Sequence, residues 1–487
     1  MKNITLYFII FIIILLIILG TNWFINMEDS KSLSKEFGFD STNLLDMPYN
    51  DSTPKNKHVG VIGGGISGLS TAYYLLKEGY NVTLLESKQR VGGNNEAYIE
   101  NGNMYPTSIV YYKPKQQPHH NKLCSELGIE HIRGEWEEGT IEFKDSYLTT
   151  SQTLSLIQTF TQFIKILTFQ ETIDFITIVI LLRKEFLDSP DLKISVAECL
   201  GTRLINTEVF KDVIMGVVGV NCWCRLEDIN EFPADIFAAL IWEFSLPIRR
   251  RCNGIENVSI LDGRIIDALE EANLKDSNYL QYLGKKVTYI EKTDNSSYNI
   301  YTSFNETYNF DLVVLTMQPR FANKIIKSSI THDPNINISN KLINELIKWD
   351  DTLECCTFIH NDNSRIKQGS FHYERIKITH NDEYTHFIQH AIPRDNRVLI
   401  SYIYGKKNAI HFINNIIDNK KIKKILYPTL PIFKTNNTRE RNKIWRDIDN
   451  DCKDIYWAGS CRTGVQFHND GILSSKRVVS TILGKGW

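Results

Sequence analysis

The sequence predicts an α/β protein built on a parallel, dinucleotide-binding sheet, with a second lobe of mixed α+β structure. Three observations predict it. Residues 58–86 run strand, glycine turn, helix, strand and acid in that order. Two further apolar strand runs stand far downstream, Asp311–Thr316 leading to a loop and Ile455–Ser460 ending in a small-residue turn. At 487 residues the chain is too long for one simple core, so two or three lobes are expected.

His58–Ile62 is a short apolar run bounded by glycine and reads as a buried parallel strand. Gly63, Gly65 and Gly68 then give the G-x-G-x-x-G spacing, with Ser67 inside the run. Gly63 allows the tight turn, Gly65 lets backbone approach a pyrophosphate, and Gly68 lets the helix pack close to the sheet. Leu69–Lys77 continues as a helix whose N-terminus faces that pyrophosphate, and Gly79 ends it. Tyr80–Leu85 is the second strand. Glu86 at its end is placed to accept hydrogen bonds from a ribose. A lone glycine fingerprint is weak, but here every element the motif needs occurs in order.

Arg90-Val91-Gly92-Gly93 follows the acid directly. Here the chain resembles the flavin amine oxidase superfamily, in which an acid is followed closely by R-x-G-G. The resemblance implies FAD as the dinucleotide, with Arg90, Gly92 and Gly93 along its ribose and pyrophosphate. An arginine fork also suits a diphosphate. Lys286–Ile290 matches a short strand of the family in which the backbone of a valine, here Val287, contacts adenine. Leu261–Leu269 looks like the family's glycine turn and helix, marking the return to the flavin domain. Where the family usually carries Asp-x-Gly before an aromatic, this chain has Met104-Tyr105-Pro106-Thr107-Ser108.

The C-terminus carries a second match. Gly459 lies in the turn after the last strand, and Gly464–Gly471 follows, leading into a helix expected over Ile472–Leu483. This segment looks like the G-F-H-E-D-G stretch of FAD-dependent oxidoreductases associated with cyclopropane-fatty-acyl-phospholipid synthases, with Asn469 in place of the acid. The resemblance implies that Gly459, Asp470 and Gly471 face the flavin. A helix N-terminus aimed at the pyrimidine edge would stabilise charge on the reduced ring. Asp470 also suits an N-cap. A hydride leaving a C–H bond needs no protein nucleophile, but a departing proton needs a base. His468 is the candidate for that base, against the commoner reading of a packed histidine.

The expected fold is therefore a Rossmann-type FAD-binding domain assembled from discontinuous segments, a mixed α+β substrate domain and an N-terminal transmembrane helix. The expected division is anchor 1–26, polar linker 27–57, FAD-binding segments 58–150, 261–324 and 451–487, helical substrate region 151–260 and substrate sheet 325–450.

Ile4–Gly20 has no charge and lies at the lower edge of what spans a bilayer. Ile18-Leu19-Gly20 is a poor cleavage site, which favours an uncleaved single-pass membrane anchor over a signal peptide. Met27–Lys57 is polar, contains Pro48 and Pro54, and reads as a tether. Leu154–Phe186 reads as core helices covering a substrate cavity, or as a surface dipping into lipid. Strands are expected at Phe371–Ile376, Thr385–His390 and Arg397–Tyr404, and a helix at Asn408–Lys424.

Hydrophobic content of 42%, charged content of 23% and a net charge of −2 describe a globular protein and argue against a nucleic-acid partner. Nine cysteines include no C-x-x-C, and no histidine pair has zinc spacing, so no metal is expected. The leading expectation is a membrane-anchored FAD-dependent oxidoreductase taking a hydride from an apolar or amphipathic small molecule or lipid. A polyamine or amino-acid oxidase is one alternative. A flavin-binding scaffold or redox sensor without turnover is the other.

Overall fold

The computed structural model describes residues 44, 56–95, most of 98–129 and 138–151, 165–188, 193–215, 225–240, 259–260, 264–349, 351–362, much of 373–389, 398–405, 417–462 and 467–487, with short gaps inside several of these ranges. Its organising element is a parallel five-stranded sheet. In chain order the strands are β1 (His58–Ile62), β2 (Asn81–Leu85), β3 (Tyr279–Tyr282), β4 (Leu312–Leu315) and β5 (Ile455–Trp457). Their spatial order is β5-β4-β1-β2-β3, so chain direction across the sheet reverses at β1. Ligands of open α/β sheets bind at such a switch point, beyond the carboxyl ends of the strands.

The register explains the apolar runs. Val59, Val61, Leu84, Val313 and Val314 are all fully buried, because helices or other elements cover both faces of a parallel sheet. The two strands recognised far downstream pair in this sheet: β4 beside β1, and β5 beside β4. Helix α1 (Ile66–Lys77) packs with α2 (Arg264–Leu274) and with α3 (His468–Ile482). Thirteen residues of α3 are buried, so it is a central element rather than a surface cover. A three-stranded antiparallel sheet, Val287–Lys292, Tyr298–Thr302 and Thr307–Phe310, leads into β4.

The second lobe is built on an antiparallel sheet whose centre is Thr352–His360. Strands Tyr384–Gln389 and Leu399–Gly405 form in this sheet close to where the sequence puts them, whereas Tyr373–Ile376 forms as expected but pairs in parallel with Glu138–Phe143 in a separate three-stranded sheet. The helix expected over Asn408–Lys424 does not hold at its end. Residues 406–416 lie outside the described residues, Asn419–Lys421 is a short 3₁₀ turn, and Ile422–Leu426 is a strand. That strand pairs with Thr352–His360, and Ile422 and Ile425 pack on Phe358 and Ile403. Tertiary pairing here overrides a run that reads as helix.

Helix Phe169–Asp188 buries Ile178 and Leu182 and exposes Phe169 and Ile180, and residues 152–164 of that region lie outside the described residues. Among the described residues no helix is long and apolar enough to cross a membrane, and the anchor expected at Ile4–Gly20 lies outside them. Within the expected tether, Leu44 is buried and its carbonyl accepts from the fully buried Lys476 of α3 (3.2 Å). At that residue the tether is part of the folded unit.

Candidate active site

The first sequence motif folds into a cradle at the carboxyl end of β1. Gly63 turns out of the strand at φ 110°, a conformation other residues adopt only with strain. Gly68 is needed for closeness: a Cβ there would lie 1.8 Å from the carbonyl oxygen of Gly63. The Thr316 hydroxyl, at the end of β4, lies 2.9 Å from Ile62 O and 2.8 Å from Gly63 O, and donates into that pair. It locks the turn from the neighbouring strand, a contact the sequence alone does not show.

Glu86 stands where the motif puts it, but most of its capacity is spent on the fold. Its Oε2 accepts from Gly64 N–H (2.6 Å), and its Oε1 accepts from Lys88 N–H (2.8 Å) and Ser87 Oγ (3.0 Å). A carboxylate offers about four acceptor sites, so roughly one remains for a ribose. Gly92 N–H donates to Gly64 O (2.7 Å), which joins the R-x-G-G loop to the glycine turn. Arg90 lies at the rim, where its Nη1 donates to Val91 O (3.0 Å). Lys285 N–H donates to Glu86 O (2.7 Å), which brings Val287, two residues on and buried, to the same edge.

Three features test whether a dinucleotide diphosphate fits. A Cβ on Gly65 would meet nothing closer than Gly93 Cα at 3.8 Å, so the space before this backbone is free of side chains. Helix α1 begins at Gly65 with no side-chain cap and no acid in its first turn, which leaves its N-terminal N–H groups for a ligand. Asn95 Nδ2 is buried beside Gly92 without a hydrogen-bond partner. An acceptor oxygen of a guest would satisfy that atom, and the sequence reading missed it because one asparagine in an Asn-rich chain carries no signal. These residues fit the phosphate-bearing half of FAD.

The second helix start lies alongside. Gly471 of α3 abuts Ile66 and Ser67 of α1, and Ser475 Oγ donates to Ser67 O (2.7 Å). Helix α3 begins at His468 rather than Ile472. Asp470 is therefore not the residue before the helix. It sits within the first turn, and its carboxylate accepts from Phe467 N–H (2.9 Å). Gly459 N–H donates to Ser474 Oγ (2.9 Å), and a Cβ on Gly459 would collide with the Trp457 ring. Asn469 Oδ1 accepts from the N–H groups of His119 (2.9 Å) and His120 (3.3 Å), capping helix Pro118–Glu126 from another element. His468 is buried, its Nδ1 has no hydrogen-bond partner, and burial pushes its pKa down to about 4. A base that weak is poorly matched to neutral pH, and the packed alternative lacks the hydrogen bond at Nδ1 that it calls for.

One cluster outside the cradle imitates a hydrolytic triad. His360 Nε2 lies 2.8 Å from Ser401 Oγ, with Asp362 two residues on. Yet the backbone N–H of Asp362 donates to His360 Nδ1 (3.2 Å), so Nδ1 is unprotonated and Nε2 carries the proton. The histidine donates to the serine and cannot take its proton, and the Asp362 carboxylate is paired with Lys421 instead. This is a satisfied core network. Among the described residues no group of three or more His, Cys, Asp or Glu could hold a metal ion.

Solved structures share the fold. Cyclohexylamine oxidase from Brevibacterium oxydans IH-35A superposes with a TM-score of 0.60 over 88% of this chain and 99% of its own, at 14% identity. The fatty acid isomerase of P. acnes that produces CLA gives 0.59 over 87% and 98%, at 13% identity. Sequence relatives match over short stretches only. An L-amino-acid oxidase of Notechis scutatus scutatus is 52% identical over 48 residues, 10% of this chain and 9% of that protein. Protoporphyrinogen oxidase 2 of Arabidopsis thaliana is 36% identical over 73 residues, 15% and 14%. The profile of flavin-containing amine oxidoreductases matches residues 66–346, more than half of the chain, so the protein belongs to that family of FAD-dependent oxidoreductases.

Proposed function

We propose that the protein is a membrane-anchored oxidoreductase that takes a hydride from an apolar or amphipathic substrate. In this reading Gly63, Gly65, Ser67, Gly68, Glu86, Arg90, Gly92, Gly93 and Val287 hold the adenosine diphosphate half of FAD, joined by Asn95. Gly459, Asp470 and Gly471 form the wall toward the ring. FAD, when bound, supplies the hydride acceptor. The chain's own work is to position the substrate, exclude water and fix local charge. His468 has no proton-transfer role in this scheme.

One observation favours an apolar substrate over an amine. An ammonium substrate wants a bare buried carboxylate, and of the buried acids described in the helical lobe two are paired with arginines, while Asp235 accepts from Ile236 N–H (2.8 Å) and lies in the field of Arg441. Asp174 pairs with Arg203 (2.7 Å) and Asp228 with Arg225 (2.8 Å). Around them the lobe is apolar, with Ile178, Leu182, Phe210, Phe232 and Phe237 all buried.

Anaerobic mixing of the purified protein with a panel of lipids, isoprenoids, polyamines and amino acids tests this reading. Bleaching of the flavin absorbance by a lipid or isoprenoid is expected. Bleaching by a polyamine or an L-amino acid would establish the oxidase alternative, and bleaching by none would favour a scaffold or redox sensor. For the anchor, the full chain is expected to sediment with membranes and a chain beginning at Met27 to remain in the supernatant. Equal sedimentation of both would place the membrane contact elsewhere.

A further inference from the structure

The loops on either side of the cradle are tied together by one carbonyl from the second lobe. Asn94 follows Gly93, and its Nδ2 donates to Thr429 O (3.2 Å). Gln318 follows Thr316 by two residues on the opposite side of the glycine turn, and its Nε2 donates to the same oxygen. The Thr429 hydroxyl returns a hydrogen bond to Gln318 Oε1 (3.1 Å). A carbonyl has two lone pairs, and both are used here by donors from different walls.

The sequence prepares this meeting. Gln318 precedes Pro319, which confines its backbone to the extended region seen at φ −56°, ψ 150°. Thr429 opens a short strand, Thr429–Pro431, fixed by pairing with Thr352–Glu354 at the centre of the second lobe's sheet. The neighbouring strand makes a separate bridge a short way off, where Lys423 pairs with Glu100.

We propose that Thr429, Gln318 and Asn94 form a clasp that holds the second lobe against the rim of the cradle and sets how fast FAD is released. The proposal rests on the reading that the cradle holds the FAD diphosphate. Spreading the two walls at the clasp breaks three hydrogen bonds, while the second lobe keeps its separate contacts from Thr352 to Arg320 (2.9 Å) and from Ile359 and Val398 to Tyr98. Asn94 is exposed, so water can replace its bond as it opens, and the two bonds between Gln318 and Thr429 are half-buried. The clasp is thus a gate that opens at modest cost. The three side chains touch neither substrate nor reacting atoms and act as positioning residues.

The test uses the full-length, flavin-loaded protein, and the readout is the rise of flavin fluorescence after dilution. Each hydrogen bond removed is expected to speed release by about two- to tenfold, so Asn94→Ala with Gln318→Ala should speed it by ~10-fold or more. Thr429→Val, which loses the hydroxyl donor, should release faster than Thr429→Ser, which keeps it and should match the wild type. Lys423→Met, which breaks only the neighbouring bridge, should leave release unchanged. A merely structural role would lower the unfolding temperature of the flavin-free protein without changing release. Release at the wild-type rate in Thr429→Val and in the double variant, with full flavin content, overturns the proposal. So does faster release in Lys423→Met with none in Gln318→Ala. A wild-type protein purified without flavin would instead refute the reading on which the clasp depends.

Discussion

Helices α1 and α3 start side by side at the carboxyl edge of the sheet, and they start in opposite ways. Helix α1 opens on Gly65, with no side-chain cap and no acid in its first turn. Helix α3 opens on Phe467, and the carboxylate of Asp470 answers the Phe467 N–H from within the first turn. That carboxylate is itself buried in the field of Arg441 and Arg477. Both helix ends carry the same partial positive charge. At α1 the anion must come from outside, and at α3 the protein provides it. The difference separates a helix start whose charge is left unanswered from one whose charge the protein answers itself, although both carry a glycine in their first turn.

The largest loss of stability should come from Gly68→Ala in α1. Its new methyl would sit 1.8 Å from a backbone oxygen and 2.8 Å from Thr316 Oγ1, and neither atom can retreat without unmaking the turn. We expect a loss of about 4 kcal/mol or more in chemical unfolding and no bound flavin. Asp470→Ala, at α3, should cost on the order of 3 kcal/mol, because it removes the cap and strands buried arginine charge. Asp470→Asn keeps an acceptor for Phe467 N–H and should lose less. Flavin binding should survive in Asp470→Asn. Equal losses in the two variants would show that the charge, not the cap, is what matters there.

How the sequence could be read follows the same division. The α1 side was legible because its parts are local: strand, turn, helix and acid lie within about thirty residues and obey fixed spacings. β1 falls on the expected His58–Ile62, and β4 lies within the expected run Asp311–Thr316. The α3 side was legible only in outline. The helix start shifted because Asp470 bonds back to Phe467, which depends on whether the acid points along or away from the chain. The Ile422–Leu426 strand and the Thr429 clasp depend on partners at Thr352–His360, Asn94 and Gln318, and no local pattern encodes a meeting of segments so far apart. Asn95 was silent for a simpler reason: its signal is an unsatisfied atom, and that exists only once burial is known.

Acid should weaken the α3 side. Burial holds His468 at about 4, below its usual 6.5, and it also lowers His119 well below that value. Both are therefore neutral in the folded state. In the unfolded chain they take up protons near pH 6.5, so the unfolded state binds more protons between pH 6.5 and 4. Their contribution is full above pH 6.5 and is lost as pH falls through that window. For His468 alone the loss approaches ~3 kcal/mol at pH 4. His468→Leu should flatten the fall of unfolding temperature with acidification. An unchanged slope in that variant would place the acid sensitivity elsewhere, for instance at His360, which is held near 4 in the second lobe.

The smallest effect on stability should come from the change with the largest effect on the cofactor. Gly65 has extended backbone, φ −77° and ψ −176°, which any residue adopts. Its Cβ position is open, with Gly93 Cα the nearest atom at 3.8 Å. Valine therefore enters without collision. Its poor fit to a helix-capping position is offset in part by the lower entropy of the unfolded chain, leaving a net change within about 0.5 kcal/mol. The isopropyl group would fill the clear space in front of the start of α1. Gly65→Val should thus fold, melt within a few degrees of the flavin-free wild type, and contain almost no flavin. Gly68→Ala should lose both fold and flavin, and Asp470→Asn should keep both. Absorbance at the flavin band beside thermal unfolding separates the three cases. Full flavin content in a well-folded Gly65→Val protein would mean that the uncapped end of α1 is not where the diphosphate binds, and that the contrast between the two helix starts has another origin.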